Sequence, residues 1–308
     1  MNDSLWVRSE LVALAMTASQ PVVALESGLL AHGLPYPINM EMVRSLEQQV
    51  MTHGATPATI AINAGRIHVG LTAAEMETLA DGSAGPLARC SRRNLATVVA
   101  SGGAGVTTIA GTMVVARLAG ISLVATGAIG GVHLGQPFDI SPDLTELGRI
   151  PLTVVCSGMK PFLDLANTRE RLETNGVTLV GLGTDDLAPY FHEHSGAGVD
   201  LVVAEVAEIA EIMQQHQALG LSQALMVIIP VAAEHRIDKT SFMAAVSETI
   251  QQAERDGVRG GGTTNYMVRG LAKRLGPRVF AANHQILLEN AALGAQIARA
   301  HQLLTYAK

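Results

Sequence analysis

Short apolar segments that end in glycine-containing turns are the feature that most limits how this chain can fold. Two of them lie in the central stretch 121–173, and the second, 150–156, is rich in β-branched residues. Apolar runs of about four to eight residues bounded by glycine are typical of strands buried in a parallel sheet. Segments with helical periodicity alternate with such runs along the chain. We therefore expect an α/β fold, a single three-layer α/β/α domain over residues 1–308 with a largely parallel or mixed central sheet.

Local signals predict individual elements of this fold. The segments ATIAIN and RIHVG predict a β-hairpin, and Thr72 and Glu75 have the spacing of a capping box at the start of a helix. Asn39 is expected to cap the start of an amphipathic helix that runs through His53. The glycine-rich stretch 102–112 is expected to begin a long apolar helix. Its first N–H groups would then be available to bind an anion, or its small residues would allow the helix to pack closely on its neighbours.

Composition disfavours several classes of protein. Of the 308 residues, 48% are hydrophobic, which is enough for a sizeable core. A net charge of −6 without a basic stripe disfavours a nucleic-acid polymer as partner. No apolar run reaches the length of a membrane span and the N-terminal stretch lacks a signal-peptide pattern, so no membrane contact and a cytoplasmic location are expected. Cys90 and Cys156 lack the spacing of a zinc site or a disulfide framework.

Lys160 follows the second apolar run and is the main candidate for a catalytic residue. Pro161 suits the first position of a helix over 162–174, which would put Lys160 at a positive helix end in apolar surroundings. Both influences favour a neutral amine, which Schiff-base chemistry requires. The alternative is a surface lysine that reaches into solvent from a loop. Against it, the chain has only three other lysines, all in positions typical of surface residues: Lys239, Lys273 and Lys308.

Other residues with chemical potential lie at expected strand ends or helix starts. Glu26 follows the apolar segment 21–25, and RCSRR (89–93) is the densest positive cluster. Asp139 and Asp143 form a pair of carboxylates in FDISPDL. Structural roles are open for each of these, because Glu26 could cap a strand end and the two aspartates could cap one short helix.

Together these segments resemble the pseudouridine-5′-phosphate glycosidase family, also called indigoidine synthase A-like. The similar segments are VALESGLLAHG (23–33), SRRNL (91–95), TGAIGGVH (126–133), FDISPDL (138–144), VVCSGMKPFLDL (154–165) and the region of Asn283. The resemblance implies a homotrimeric α/β enzyme with one Mn²⁺ per subunit, or Mg²⁺ or another divalent cation. It further implies reversible cleavage of the C–C glycosidic bond of pseudouridine 5′-phosphate to uracil and ribose 5-phosphate.

The resemblance also implies residue roles. Lys160 matches the amine that forms a Schiff base with C1′ of the opened ribose, and Glu26 matches the proton donor to the ring oxygen. Because a C–C glycoside has no leaving-group heteroatom to protonate, an iminium supplies the electron sink that cleavage needs. Asn283 matches an asparagine at the reacting centre, although alone it would be a packing amide. Asp139 matches the metal ligand, and one carboxylate with several waters suits Mn²⁺ or Mg²⁺ better than zinc. Substrate contacts are expected from Arg89, Ile109, Ser141, Pro142 and Asp143.

The chain departs from the family pattern at three places. Arg89 stands where the family has lysine, Gly28 where it has threonine, and PVAAE (230–234) where it has NPIPE. Arginine keeps the positive charge but does not readily carry a proton. The partner of ribose 5-phosphate, a nucleobase or a similar heterocycle, is therefore open. A related C-nucleoside synthase that uses a different carbon nucleophile is one alternative, and a non-catalytic sugar-phosphate binding protein is another. A sugar kinase is disfavoured because the expected glycine-rich anion hole is missing.

Overall fold

Parallel strands and helices alternate through the computed structural model, which describes residues 4–31, 34–160, 162–187, 196–258 and 262–306. Along these residues the strands are β1 (Trp6–Arg8), β2 (Val22–Glu26), β3 (Thr56–Asn63), β4 (Arg66–Val69), β5 (Ala88–Cys90), β6 (Gly105–Thr107), β7 (Leu123–Ala125), β8 (Val132–His133), β9 (Gln136–Ile140), β10 (Thr153–Cys156), β11 (Leu163–Asp164), β12 (Thr178–Leu182), β13 (Leu201–Val203) and β14 (Leu225–Ile228).

Helices cover both faces of the main sheet. They are α1 (Glu10–Thr17), α2 (Gly28–Ala31), α3 (Ile38–Thr52), α4 (Ala73–Ala80), α5 (Arg92–Ala100), α6 (Ile109–Ala119), α7 (Pro142–Leu147), α8 (Leu165–Thr174), α9 (Val206–Ala218), α10 (Lys239–Arg255), α11 (Thr263–Leu275) and α12 (Pro277–Tyr306). Within the described ranges, no helix combines the length and the apolarity needed to cross a bilayer.

The main sheet is mixed and largely parallel. Its longest path has the order β1-β4-β3-β2-β7-β10-β14-β12-β13, and β6 joins β5 to β3. In the part of the chain that the structure describes, its antiparallel pairs are β3 with β4 and β3 with β6. A small antiparallel sheet has the order β11-β8-β9. The predicted α/β class is therefore confirmed, as are the β3–β4 hairpin and the capping box of Thr72 and Glu75.

Alternate residues of the central strands face two layers of helices. Val23 and Leu25 of β2 belong to a core cluster with residues of α3, α9 and α12. Ala24, between them, belongs to a second cluster with residues of α1, α6 and α7. Successive side chains of a strand point to opposite faces, so both faces of β2 are buried, as predicted for a three-layer α/β/α arrangement. Full burial of a valine or leucine contributes roughly 1.5–3 kcal/mol, which makes these central strands a rigid support.

Two helices in the first half of the chain do not begin as the sequence predicts. Gly105–Thr107 form the strand β6, and α6 begins only after Thr108, whose hydroxyl caps it. A Cβ at Gly105 would lie 2.5 Å from the Cys90 Sγ, so this glycine is needed where β6 packs beside β5. Asn39 does not cap α3. It lies in the first turn of the helix, where its buried amide donates to the carbonyls of Leu30 and Ala80.

The helix predicted over 162–174 also begins later than expected. Leu163–Asp164 form β11, and α8 begins after Asp164, whose carboxylate accepts the Asn167 N–H as a cap. Pro161, the expected first residue of that helix, lies outside the described residues. Lys160 therefore does not lie at the N-terminal end of α8. The prediction that the dipole of this helix acts on the Lys160 amine is wrong.

Candidate active site

Two adjoining cavities open at the carboxyl edge of the parallel strands β2, β7 and β10. The first, about 200 Å³, is the apolar lobe, whose wall includes Leu29, Val268, Leu271, Phe280 and Leu287. The second, about 350 Å³, is the polar lobe, whose wall includes Arg93, Ile109, Asp139, Ser141 and Asp143. Glu26, Arg89, Thr108 and Lys160 line both lobes. Carboxyl ends of parallel strands are the usual position of a ligand site in such sheets.

Glu26, the last residue of β2, has a pKa raised above its ordinary value. Burial is the largest cause, and the Thr126 hydroxyl, which donates to Glu26 Oε1 at 2.6 Å, is the largest opposing influence on this pKa. The positive charge of Lys160 also lowers it, whereas the negative charge of Asp143 raises it. A carboxyl group with a raised pKa keeps its proton closer to neutral pH, as a proton donor must.

Lys160 lies in the loop after β10, between the two lobes. Its backbone N–H donates to the Ile129 carbonyl at 3.1 Å, and its carbonyl accepts the Leu163 N–H at 3.2 Å. The first of these bonds joins the loop after β10 to the loop after β7. Lys160 thus lines the cavity together with the Glu26 carboxyl group, so a nucleophilic amine and a proton donor face the same ligand space.

Asn290 of α12 joins the strand ends that carry the site. Its buried amide donates to the carbonyls of Thr126 at 2.7 Å and Gly127 at 3.2 Å, and its Oδ1 accepts the Ser157 hydroxyl at 3.1 Å. A fully buried amide with these partners holds the loops after β7 and β10 in one arrangement. Neither Thr126 nor Asn290 is among the predicted site residues. The only sequence signal for Asn290 is a polar residue on an apolar helix.

The polar lobe carries groups that suit a phosphate. Arg89 of β5 and Arg93 of α5 line it, as does Ile109 at the first position of α6. Arginine side chains and the N–H groups of a helix start both bind anions. Arg92, in contrast, binds Glu146 with two hydrogen bonds of 2.7 and 2.6 Å, so this member of the RCSRR cluster has a structural partner.

The predicted segment from Ser141 to Asp143 lines the polar lobe where α7 begins. Ser141 caps α7 by accepting the Asp143 N–H at 3.2 Å, and Pro142 occupies the first helical position. The buried Asp143 carboxylate accepts the Ala110 N–H at 3.0 Å and the Gly130 N–H at 2.8 Å. Asp143 therefore joins the start of α6 to the loop after β7, in addition to lining the cavity.

Asp139 lies on β9 and not in a helix cap. Its buried Oδ2 accepts no hydrogen bond, although His133 Nδ1 lies within ion-pair distance, 3.2 Å from Oδ2 and 3.2 Å from the Asp139 backbone carbonyl oxygen. A buried carboxylate oxygen without a hydrogen bond is rare, and either a protonated His133 or a metal cation would satisfy this one. No cluster of three or more His, Cys, Asp or Glu suited to a metal occurs among the described residues. A site with one carboxylate, completed by water and substrate oxygens, fits Mn²⁺ or Mg²⁺ and does not fit a structural zinc.

Asn283 of α12 lines the apolar lobe together with Glu26 and Lys160. All of the predicted site residues thus line one lobe or the other. The altered segment 230–234 behaves differently, since none of the described residues that line either lobe comes from it. Gly28, the third departure from the family pattern, does line the apolar lobe.

Comparison with known proteins establishes the family. The family model for indigoidine synthase A-like protein matches residues 11–300. The chain belongs to the indigoidine synthase A-like family. A relative from Staphylococcus aureus (strain MW2) is 41% identical over 286 residues, which cover 92% of each chain. A relative from Hahella chejuensis is 40% identical over 304 residues, 98% of this chain and 99% of the other. Both relatives are named pseudouridine-5′-phosphate glycosidase.

Solved structures of similar proteins confirm the fold of this indigoidine synthase A-like chain. The prealnumycin C-glycosynthase AlnA, solved in complex with ribulose 5-phosphate, has a TM-score of 0.90 and 32% identity and covers 99% of this chain and 100% of its own. An indigoidine synthase A-like protein from Thermotoga maritima has a TM-score of 0.85 and 31% identity over 92% of this chain and 94% of its own. The predictions of family and of an enzyme are therefore confirmed.

Proposed function

We propose that this enzyme reversibly cleaves the C–C glycosidic bond of pseudouridine 5′-phosphate to uracil and ribose 5-phosphate, through a Schiff base at Lys160. The observation that carries the proposal is that Lys160 and the half-buried Glu26 line both a polar and an apolar lobe. The names of the relatives support the substrate, and the ribulose 5-phosphate complex of AlnA supports a sugar phosphate in this fold. The homotrimer implied by the family resemblance is part of this proposal.

In this mechanism the sugar phosphate binds in the polar lobe. Arg89 and Arg93 offset the phosphate charge, and the helix start at Ile109 adds N–H donors. The phosphate is then held to one side of Lys160, and the base extends into the apolar lobe on the other side. Asn283, in the wall of that lobe, contacts the reacting centre.

Glu26 and Lys160 open the ribose in concert. The Lys160 amine adds to C1′ while Glu26 gives its proton to the departing ring oxygen, so the ring C–O bond breaks and a C1′–N bond forms. The ionised Glu26 then takes a proton from the new ammonium and frees the nitrogen lone pair. This lone pair forms the iminium as the C1′–C5 bond breaks, and the electron pair of that bond remains on the uracil carbon, which takes up the proton. Water hydrolyses the iminium to ribose 5-phosphate and free lysine. Synthesis is the reverse sequence, and positioned proton transfer contributes about 10²–10⁴-fold to such steps.

Release of uracil tests the proposal directly. We expect the enzyme with Mn²⁺ to convert pseudouridine 5′-phosphate to uracil and ribose 5-phosphate, followed by product mass. The reverse assay supplies ribose 5-phosphate with uracil or with other heterocycles.

A C-nucleoside synthase that uses a different carbon nucleophile is the second candidate, favoured by the likeness to a C-glycosynthase. Uracil coupling with all other heterocycles rejected would contradict that candidate. Failure to engage ribose 5-phosphate would contradict both candidates and favour neither.

A divalent cation, Mn²⁺ or in its place Mg²⁺, is proposed to bind through Asp139. Such an ion supplies positive charge beside the substrate oxygens. We expect exhaustive chelation to remove turnover and Asp139→Asn to weaken Mn²⁺ binding by roughly 10–100-fold, because Asp139 Oδ2 is a buried carboxylate oxygen that accepts no hydrogen bond. Isothermal titration with Mn²⁺ measures the affinity. Asp185→Asn, an exposed carboxylate outside both lobes, is the matched control. Full turnover after chelation, or equal losses in the two variants, would contradict the assignment.

Thr126→Val should move the alkaline limb of the pH profile of kcat/KM to higher pH. The Thr126 hydroxyl stabilises ionised Glu26, so its removal raises the pKa of Glu26 further. A proton donor is active while protonated, and activity therefore persists to higher pH in the variant. Thr126→Ser retains the donor and should leave the limb in place. A limb that shifts to lower pH in Thr126→Val would rule out Glu26 as the proton donor.

A further inference from the structure

Arg269 of α11 places a cation in the wall of the apolar lobe. It lines this lobe and not the polar one. No hydrogen bond or ion pair engages its guanidinium among the described residues, whereas Arg274, further along the same helix, donates to Glu248 at 3.1 Å. A guanidinium carries five N–H donors, so Arg269 has donors to offer to a ligand in the lobe.

The other polar side chains of this part of the lobe are already engaged. Away from the boundary with the polar lobe, the described part of the wall has three polar side chains, Thr107, Arg269 and Asn283. Thr107 is buried and its Oγ1 donates to the Ile60 carbonyl at 2.8 Å, and Asn283 has an interaction of its own. The uracil that the proposed function places here carries two carbonyls, and burial of a carbonyl without a donor is costly. Among the described residues, Arg269 is the side chain that can supply this donor.

The geometry of the pyrimidine ring determines which carbonyl reaches Arg269. In the proposed function, C5 of uracil is bonded to C1′ at Lys160, which lies where the two lobes meet. C4 is next to C5 in the ring, so O4 stays close to this boundary. C2 is opposite C5, so O2 points away from Lys160 and into the apolar lobe. Since Arg269 lines the wall away from the boundary, O2 is the carbonyl oxygen directed toward its part of the lobe.

We propose that Arg269 donates to O2 of the base and thereby determines which carbon nucleophiles the enzyme accepts. The inference rests on the proposed function, which places C5 at Lys160. A hydrogen bond from a charged donor is stronger than one between neutral groups, and a pocket built to make it rejects rings that lack the acceptor. The accepted bases are then six-membered heterocycles with a carbonyl oxygen opposite the nucleophilic carbon, and uracil is one of them.

Two sulfur analogues of uracil test which oxygen Arg269 binds. Sulfur accepts hydrogen bonds more weakly than oxygen, and it replaces O2 in 2-thiouracil and O4 in 4-thiouracil. Each ring is titrated calorimetrically into the enzyme at pH 6, where all three rings are neutral. We expect wild type to bind uracil about tenfold more tightly than 2-thiouracil. Arg269→Leu should lose this preference and keep the wild-type ratio between uracil and 4-thiouracil. Arg274→Leu removes an arginine of the same helix that lines neither lobe and should match wild type.

The kinetics of cleavage give a second measurement. Arg269→Leu should raise KM for pseudouridine 5′-phosphate by about tenfold with kcat little changed, because O2 is bound alike before and during cleavage of the C–C bond. Borohydride trapping of ribose 5-phosphate on Lys160 should be the same in wild type and Arg269→Leu, since this ligand carries no base.

The outcomes separate the contact with O2 from the proposed function. A preference for uracil over 2-thiouracil that survives in Arg269→Leu, or an equal loss in Arg274→Leu, would overturn the contact. Release of uracil from pseudouridine 5′-phosphate with the same KM in wild type and Arg269→Leu would overturn the contact and leave the proposed function intact. The expected titrations without any release of uracil would support the contact and overturn the proposed function. No binding of uracil to wild type would overturn both.

Discussion

Lys160→Arg should abolish both turnover and the borohydride-trapped adduct with ribose 5-phosphate. Arginine preserves the positive charge but not a nucleophilic amine, so the variant separates covalent chemistry from electrostatic binding of the phosphate. Loss of a covalent nucleophile lowers kcat by roughly 10⁴-fold or more. The expectation rests on Lys160 lining both lobes together with Glu26, where the proposed function places C1 of a bound ribose.

Mass mapping of the trapped protein gives the clearest measurement. We expect wild type to gain the mass of reduced ribose 5-phosphate on the peptide that contains Lys160, and Lys160→Arg to gain none. Lys273→Arg, an exposed lysine of α11 that lines neither lobe, should retain both the adduct and turnover. An adduct on Lys239 or Lys273, or turnover retained in Lys160→Arg, would remove the Schiff base from the mechanism.

The residues at strand ends could be predicted because their signals are local. A buried strand is visible as an apolar run, and the polar residue that follows it must lie at the edge of the sheet. Glu26 and Lys160 are such residues, and the parallel order β2-β7-β10 brings their strands to the same edge. Their individual roles came from the family resemblance, since a carboxylate or lysine at a strand end has structural alternatives.

The surroundings of these residues depend on contacts that are distant in sequence. Thr126 donates to Glu26 across 100 positions, and Asn290 binds Ser157 across 133. Neither pairing leaves a local pattern, because threonine and asparagine occur in many environments. The strand β11 is a further case. Its pairing with β8, Leu163 opposite His133, replaces the first turn of the predicted helix after Lys160, and a strand of two residues carries no periodicity to detect.

Glu26→Gln should lower turnover by roughly 10²–10⁴-fold and, at the same time, stabilise the folded protein near neutral pH. Burial raises the pKa of Glu26 above the value of 4.5 that it has in an unfolded chain. The folded state therefore favours protonated Glu26. That contribution is fully present below the unfolded pKa and is lost as pH rises through the folded pKa. Glutamine is uncharged throughout, and its carbonyl can still accept the Thr126 hydroxyl.

Urea unfolding at pH 4 and at pH 7.5 tests the stability, and the glycosidase assay tests the activity. The gain in the free energy of unfolding should appear at pH 7.5 and shrink at pH 4, where wild-type Glu26 is largely protonated in both states.

Glu47→Gln is a matched control, because burial also raises the pKa of Glu47, and the Thr59 hydroxyl donates to it as Thr126 does to Glu26. Since Glu47 lines neither lobe, its variant should gain stability in the same pH range and keep full turnover. Equal turnover in the two variants would show that Glu26 is a structural carboxyl group. A gain in stability shared by both variants, with a loss of turnover confined to Glu26→Gln, would identify Glu26 as the donor of the proton to the ring oxygen.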